Sequence, residues 1–279
     1  MPRLVAKFGE STAKGVSVIA SARTFATAAT VGLTLALGAC ATPPTDPAAR
    51  ADFDRTNDPF EPANRKIFAV NQTLDRYVIE PAAEVYRAVL PDPVRTGIRN
   101  FLNNLGEPVI IANNVLQGEF HRADVSLGRL VTNTTFGLGG LVDFASSHEL
   151  PRQSGDFGQT LYRWGMPSGP YLVLPILGPS NPRDAIGLGV DSYMDPFRYI
   201  AINNGAEEAS ISRFVASGLD QRAQNIETLD ELQKNSLDFY AQLRSLIRQR
   251  RAQELNHGEP AKPGDDDEDL YTDPAAKKT

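Results

Sequence analysis

From residue 64 to residue 131, apolar side chains recur at steps of three and four, the spacing that places them on one face of an α-helix. Ile67, Val70 and Leu74 follow Asn64-Arg65-Lys66 in a first such segment, and Ala82, Val85, Tyr86 and Val89 follow Pro81 in a second. In the third, Asp92 can cap and Pro93 suits the first helical position. Val94, Ile98, Phe101, Leu102 and Leu105 then share a face opposite Arg95, Arg99 and Asn103, and Gly106 is read as the end. Pro108 starts a fourth helix that runs through Val115-Leu116 and stops near Gly118; Phe120, Ala123, Leu127, Leu130 and Val131 mark a fifth. The apolar run 136–142 is too rich in glycine for a stable isolated helix. Residues 145–170 read as loop, and 184–195 as a weaker helix. Tyr171-Leu172-Val173-Leu174 fits either a short strand or a buried helical turn, because periodicity does not separate them.

The last third differs. Ile211, Phe214, Val215 and Leu219 open an amphipathic segment, and no Gly or Pro interrupts 219–256. An unbroken helix there would be about 55 Å long. Leu229, Leu232, Ser236, Phe239, Leu243 and Leu246, widened by Tyr240 and Ile247, fit either a two-heptad coiled-coil seam or packing on the chain's own core, and the second is the reading taken. The pattern as a whole predicts a mainly α, compact assembly of short amphipathic helices with a long C-terminal helical region.

Twenty prolines agree with short, frequently broken elements. The N-terminus adds an address. Arg3, Lys7, Lys14 and Arg23, with Glu10 the one acid, precede a short apolar stretch ending in Leu37-Gly38-Ala39-Cys40, which resembles the bacterial lipobox. Residues 1–39 are read as a lipoprotein signal peptide and Cys40, the chain's one cysteine, as the lipidated first residue of the mature protein. Ala41 in place of Asp resembles the pattern of lipoproteins released to the outer membrane. Residues 40–56, rich in Pro, Ala, Asp and Thr, are expected to form a flexible tether, 57–257 the helical domain and 258–279 a disordered acidic tail. The net charge of −6 becomes about −9 without the basic leader, which argues against a nucleic-acid partner. The mature sequence has no run of ~18 apolar residues for a membrane-crossing helix. It also lacks the alternating strands of a spanning barrel.

Catalytic and cofactor signals are missing from the pattern. His121, His148 and His257 are far apart with no cysteine beside them, so no metal site is expected. No Gly-x-Ser-x-Gly elbow or Gly-x-x-x-x-Gly-Lys loop occurs, and no cofactor or enzymatic activity is inferred. More informative are amides inside apolar helices: Asn100, Asn103, Asn104, Asn113 and Asn114. A buried amide must find partners. These five either bond to neighbouring loops or form a polar lining.

One ordered series of motifs covers residues 57 to about 200. It runs through Asn57-Asp58-Pro59-Phe60-Glu61, Asn64-Arg65, Asn104-Leu105, Glu107-Pro108, Leu116-Gln117-Gly118, Arg129 and Asn133-Thr134. It continues with Gly137-Leu138-Gly139-Gly140-Leu141-Val142-Asp143, Phe157-Gly158-Gln159-Thr160-Leu161, Gly169-Pro170-Tyr171 and Gly178-Pro179-Ser180. The series resembles the MlaA (VacJ) lipoproteins. That resemblance implies a ring of helices in the inner leaflet of the outer membrane, beside a trimeric porin. It implies an amphipathic channel that takes misplaced phospholipids to the periplasmic carrier MlaC. It also implies that the loop Trp164-Gly165-Met166-Pro167-Ser168-Gly169-Pro170 controls passage, with Gly165 and Gly169 as hinges. A lipoprotein that scaffolds porins without moving lipid is the alternative.

Overall fold

The computed structural model describes residues 42–256. Cys40, His257 and the acidic segment lie outside the described residues. The segment expected as a tether carries a helix, α1 (Pro47–Thr56), with Pro47 at its first position and the Asp46 carbonyl accepting from the Arg50 N–H.

The first two predicted helices are one continuous rod. It comprises α2 (Glu61–Leu74), a π-helical turn (Asp75–Ile79) and α3 (Glu80–Val89). Pro81 supplies no N–H, and the chain answers by widening the turn before it, so that the Glu80 N–H reaches back to the Asp75 carbonyl. The third and fourth predicted helices likewise merge into α4 (Asp92–Leu116), which runs through Gly106 and Pro108. An interior proline costs about 3 kcal/mol in an isolated helix. Here α5 (Phe120–Thr135) acts as a splint across it. Asn104 donates to Thr134 Oγ1 at 3.0 Å, and Glu107 accepts from Arg129 Nε at 3.2 Å, so both residues ahead of Pro108 are tied to the neighbouring helix.

Within the expected loop 145–170 lies α6 (Phe157–Arg163). Its cap was readable: Asp156 Oδ1 accepts from the Gln159 N–H, and Asp-x-x-Gln is a capping-box spacing. Residues 172–174 resolve the strand-or-helix ambiguity as β1 (Leu172–Leu174), paired antiparallel with β2 (Gly178–Ser180). Next come α7 (Pro182–Met194) and α8 (Pro196–Asn203), started by Asn181 and Asp195 side-chain caps followed by proline.

The long C-terminal helix is broken twice, into α9 (Glu207–Gln224), α10 (Ile226–Asn235) and α11 (Phe239–Leu255). Ser236, placed in the predicted seam, sits in the second break. Asp238 makes that break worthwhile, because its carboxylate caps α11 at the Ala241 N–H and accepts two bonds from Arg65. α11 then crosses back to the start of the domain and closes the chain on itself. Asp58 accepts from Tyr240 Oη, Arg244 Nη1 and Asn64 Nδ2, while Arg248 donates to the Thr56 carbonyl. Farther along α11, Arg251 grips Asp156 ahead of α6 and Asp184 on α7.

Candidate functional site

The interior is polar. The largest fully buried side chains among the described residues are Arg183, Gln159, Glu107, Asn113, Asn114, Thr160, Asp58 and Ser126, where an ordinary core would hold Leu, Ile and Phe. The apolar clusters are small, one around Ala83, Ala223 and Ile226, the other around Tyr171, Val173 and Tyr240. The outward faces carry what the core lacks. Val70, Tyr77, Val78, Val85 and Val89 are exposed on the first rod, Phe120, Leu127 and Val131 on α5, and Ile211, Phe214 and Val215 on α9. Phe136 and Leu138 project from the glycine-rich turn after α5. Apolar exposure this extensive marks a surface that meets lipid or another protein. No described helix is long and apolar enough to cross a membrane.

The helices enclose two cavities. The larger, about 1190 Å³, lies between α4, α5, α9 and α11 and the segment 152–155. Arg99 and Asp220 form an ion pair in its lining at 2.8 Å, with Tyr86 and Gln224 also donating to Asp220. The smaller, about 660 Å³, is bounded by α7, α11 and all of residues 165–169. Gln221, Arg250 and Glu254 line both, so the two spaces abut.

Buried charge braces the walls. Arg129, 3% exposed, donates to Glu107, Asp143, Ser146 and the Leu150 carbonyl, fixing α5 to α4 and to the turn that follows α5. Burial pushes the Glu107 carboxyl up, against the pull of Arg129. Asp143 and His148 form no dyad: Asp143 is held by Arg129, while the exposed His148 stacks on Phe144. Among the described residues no group of His, Cys, Asp and Glu is arranged to hold a metal ion.

Of the five asparagines, Asn103 lines the larger cavity. Asn100 donates to the Leu141 carbonyl, and Asn104 is buried against Thr134. Asn113 links α4 to Asp191 on α7 and accepts from Thr160 on α6. Asn114 is fully buried beside it, and its amide has no partner among the described residues. Asn100, Asn104 and Asn113 join helices or turns, and what faces the space beside Asn103 is mainly arginine, Gln and acid. Sequence reading missed Arg99, Arg122, Arg152, Gln221 and Asp220, because the elements that bring them to one cavity are far apart in the chain.

The loop after α6 has a defined frame. Gly165, with φ +88°, closes a Schellman motif: its N–H bonds to the Tyr162 carbonyl, and the Met166 N–H to the Leu161 carbonyl. Gly169, with φ +73°, is held at its carbonyl by Asn57 Nδ2, and the next strand begins with the Tyr171 N–H on the Asn57 carbonyl. Met166, Pro167 and Ser168 span the gap along the smaller cavity, while Trp164 is exposed, donates to the Leu116 carbonyl and meets Phe157 edge-on.

Comparison with known proteins gives a consistent picture. Residues 56–254 match the family model of the MlaA lipoprotein. The Haemophilus influenzae intermembrane phospholipid transport system lipoprotein MlaA is 37% identical over 207 residues, 72% of this chain and 80% of that one. The Escherichia coli protein of the same name is 33% identical over 233 residues, 82% of this chain and 88% of its own length. An uncharacterised Rickettsia felis protein is 34% identical over 203 residues. A solved structure from work on the structural basis for maintenance of bacterial outer membrane lipid asymmetry superposes with a TM-score of 0.64 at 34% identity, over 71% of this chain and 99% of the other. By sequence and by fold, the chain belongs to the MlaA lipoprotein family.

Proposed function

We propose that this protein is a lipid-anchored outer-membrane lipoprotein that removes misplaced phospholipids from the outer leaflet through its polar interior. The observation that carries this reading is the inverted distribution of polarity: charged and amide groups surround two abutting cavities, and apolar side chains cover the outside. A phospholipid resists crossing a bilayer because its charged head must leave water for hydrocarbon. A polar passage removes that cost, and acyl tails can stay against apolar surface as the head descends. No bond is made or broken; the affinity of the acceptor sets the direction. In this reading Cys40 carries the acyl anchor, a trimeric porin packs on part of the apolar jacket, and the carrier MlaC receives the lipid on the periplasmic side.

Deletion is expected to raise outer-leaflet phospholipid and sensitise cells to bile-type detergents. Unchanged outer-leaflet phospholipid, with redundant systems removed, would leave only a scaffolding role on the porin. The anchor has its own check: Cys40→Ala should abolish incorporation of radiolabelled palmitate, because the chain has no second thiol.

A further inference from the structure

The larger cavity contains two arginines whose charge the protein leaves open. Arg99 is paired with Asp220 and Arg250 with Glu254, but neither Arg122 nor Arg152 has a carboxylate within ion-pair distance among the described residues. Three carboxylates face them at longer range, Glu119 toward Arg122, and Glu107 and Asp143 toward Arg152. All three are committed elsewhere: Glu119 to Arg163, and Glu107 and Asp143 to Arg129. Arg122 spends its Nη2 on the Ser154 carbonyl and hydroxyl, and its buried Nε has no partner among the described residues. Among the described residues no hydrogen bond engages the Arg152 guanidinium, which is exposed and lines the cavity.

Two guanidiniums that line the same cavity, Arg122 half-buried and Arg152 exposed, keep donors free and suit an oxyanion such as phosphate. We propose that Arg122 and Arg152, which line this cavity together with Ser154, form a docking station for the phosphodiester of a glycerophospholipid. The space is larger than an ordinary small-molecule pocket, so the glycerol and head alcohol fit beside the phosphate. Desolvation depresses both guanidiniums below the ordinary arginine range, a cost that a bound anion offsets. The proposal rests on the transport reading above, and assigns where within the passage the head pauses.

The test is binding to the full-length protein in detergent, with dihexanoyl phosphatidylglycerol, the uncharged dihexanoylglycerol and inorganic phosphate as probes. In Arg122→Gln with Arg152→Gln, phosphatidylglycerol binding is expected to weaken about tenfold or more, with the uncharged diglyceride unaffected. Arg122→Lys with Arg152→Lys should retain part of the affinity, and thermal unfolding of each variant separates lost binding from lost fold. Equal phosphatidylglycerol binding by wild type and the folded Gln variant would overturn the station and leave the transport reading standing. Arginine-dependent binding of inorganic phosphate with no binding of phospholipid would make this a free-anion site and overturn the headgroup assignment. If wild type binds neither lipid, the transport reading itself falls, and the station with it.

Discussion

At the scale of single residues, ion pairs and amides fill buried positions where an ordinary core would hold apolar side chains. Such pairs are unforgiving, since removing one partner strands a charge away from water. Asp184 shows the balance. Burial alone would raise its carboxyl, but Arg251, with Arg183 and Asn181, outweighs burial and holds it below the ordinary carboxylate range. A carboxyl depressed in this way adds stability above its unfolded value, near ~4, that disappears as pH falls through the folded one. The melting temperature of wild type should therefore drop steeply on acidification below about pH 4. Asp184→Asn should melt lower than wild type at pH 7 and lose less on going to pH 3. Parallel acid limbs in the two proteins would show that Asp184 contributes nothing to the linkage.

At the scale of elements, close approach decides which helices touch. α6 and α7 meet through glycines: a Cβ on Gly187 would lie 2.4 Å from the Gly158 backbone nitrogen and 2.8 Å from its Cα. The obstacle is backbone, which has no rotamer to move aside. Gly187→Ala is expected to push the helices apart and cost about 1–3 kcal/mol in chemical denaturation. It should also loosen the Arg251 bridge to Asp156 and Asp184, which spans the same junction. Gly189, two residues on, has nothing within reach of an added Cβ, so Gly189→Ala serves as the control and should be neutral or slightly stabilising.

At the scale of the whole molecule, the segment 165–169 is the longest stretch of the second cavity wall that is neither helix nor strand. It hangs between the α6 cap and the Asn57 clamp, and both end glycines occupy left-handed backbone that a β-branched residue adopts only under strain. Gly165→Val with Gly169→Val is expected to reduce phospholipid removal while abundance and porin association stay at wild-type levels. Full restoration of barrier function by this variant in a deletion strain would rule out a hinge. A fall in abundance would show that the glycines serve the cap at α6 and the contact of Gly169 with Pro182 instead.

Much of this was legible in residue order. Helical class follows from local spacing, but the helix expected at 184–195 begins earlier, at Pro182 behind the Asn181 cap, and the helix that Asp195 caps at Pro196 was not expected, although capping is settled within four residues. Family membership follows from the ordered motifs in 57–200. What residue order left open was settled by partners distant in the chain. Pro108 stays inside α4 because α5 braces it, and the C-terminal helix breaks where Asp238 finds Arg65. Asn113 is drawn into a helix junction by Asp191 and Thr160, whereas Asn103, ten residues before it on the same helix, faces the cavity. The pattern of apolar positions shows that each helix has two unlike faces. Closure of α11 onto Asp58 helps turn the polar faces inward, because burying a charge costs less when it meets a partner from another part of the chain.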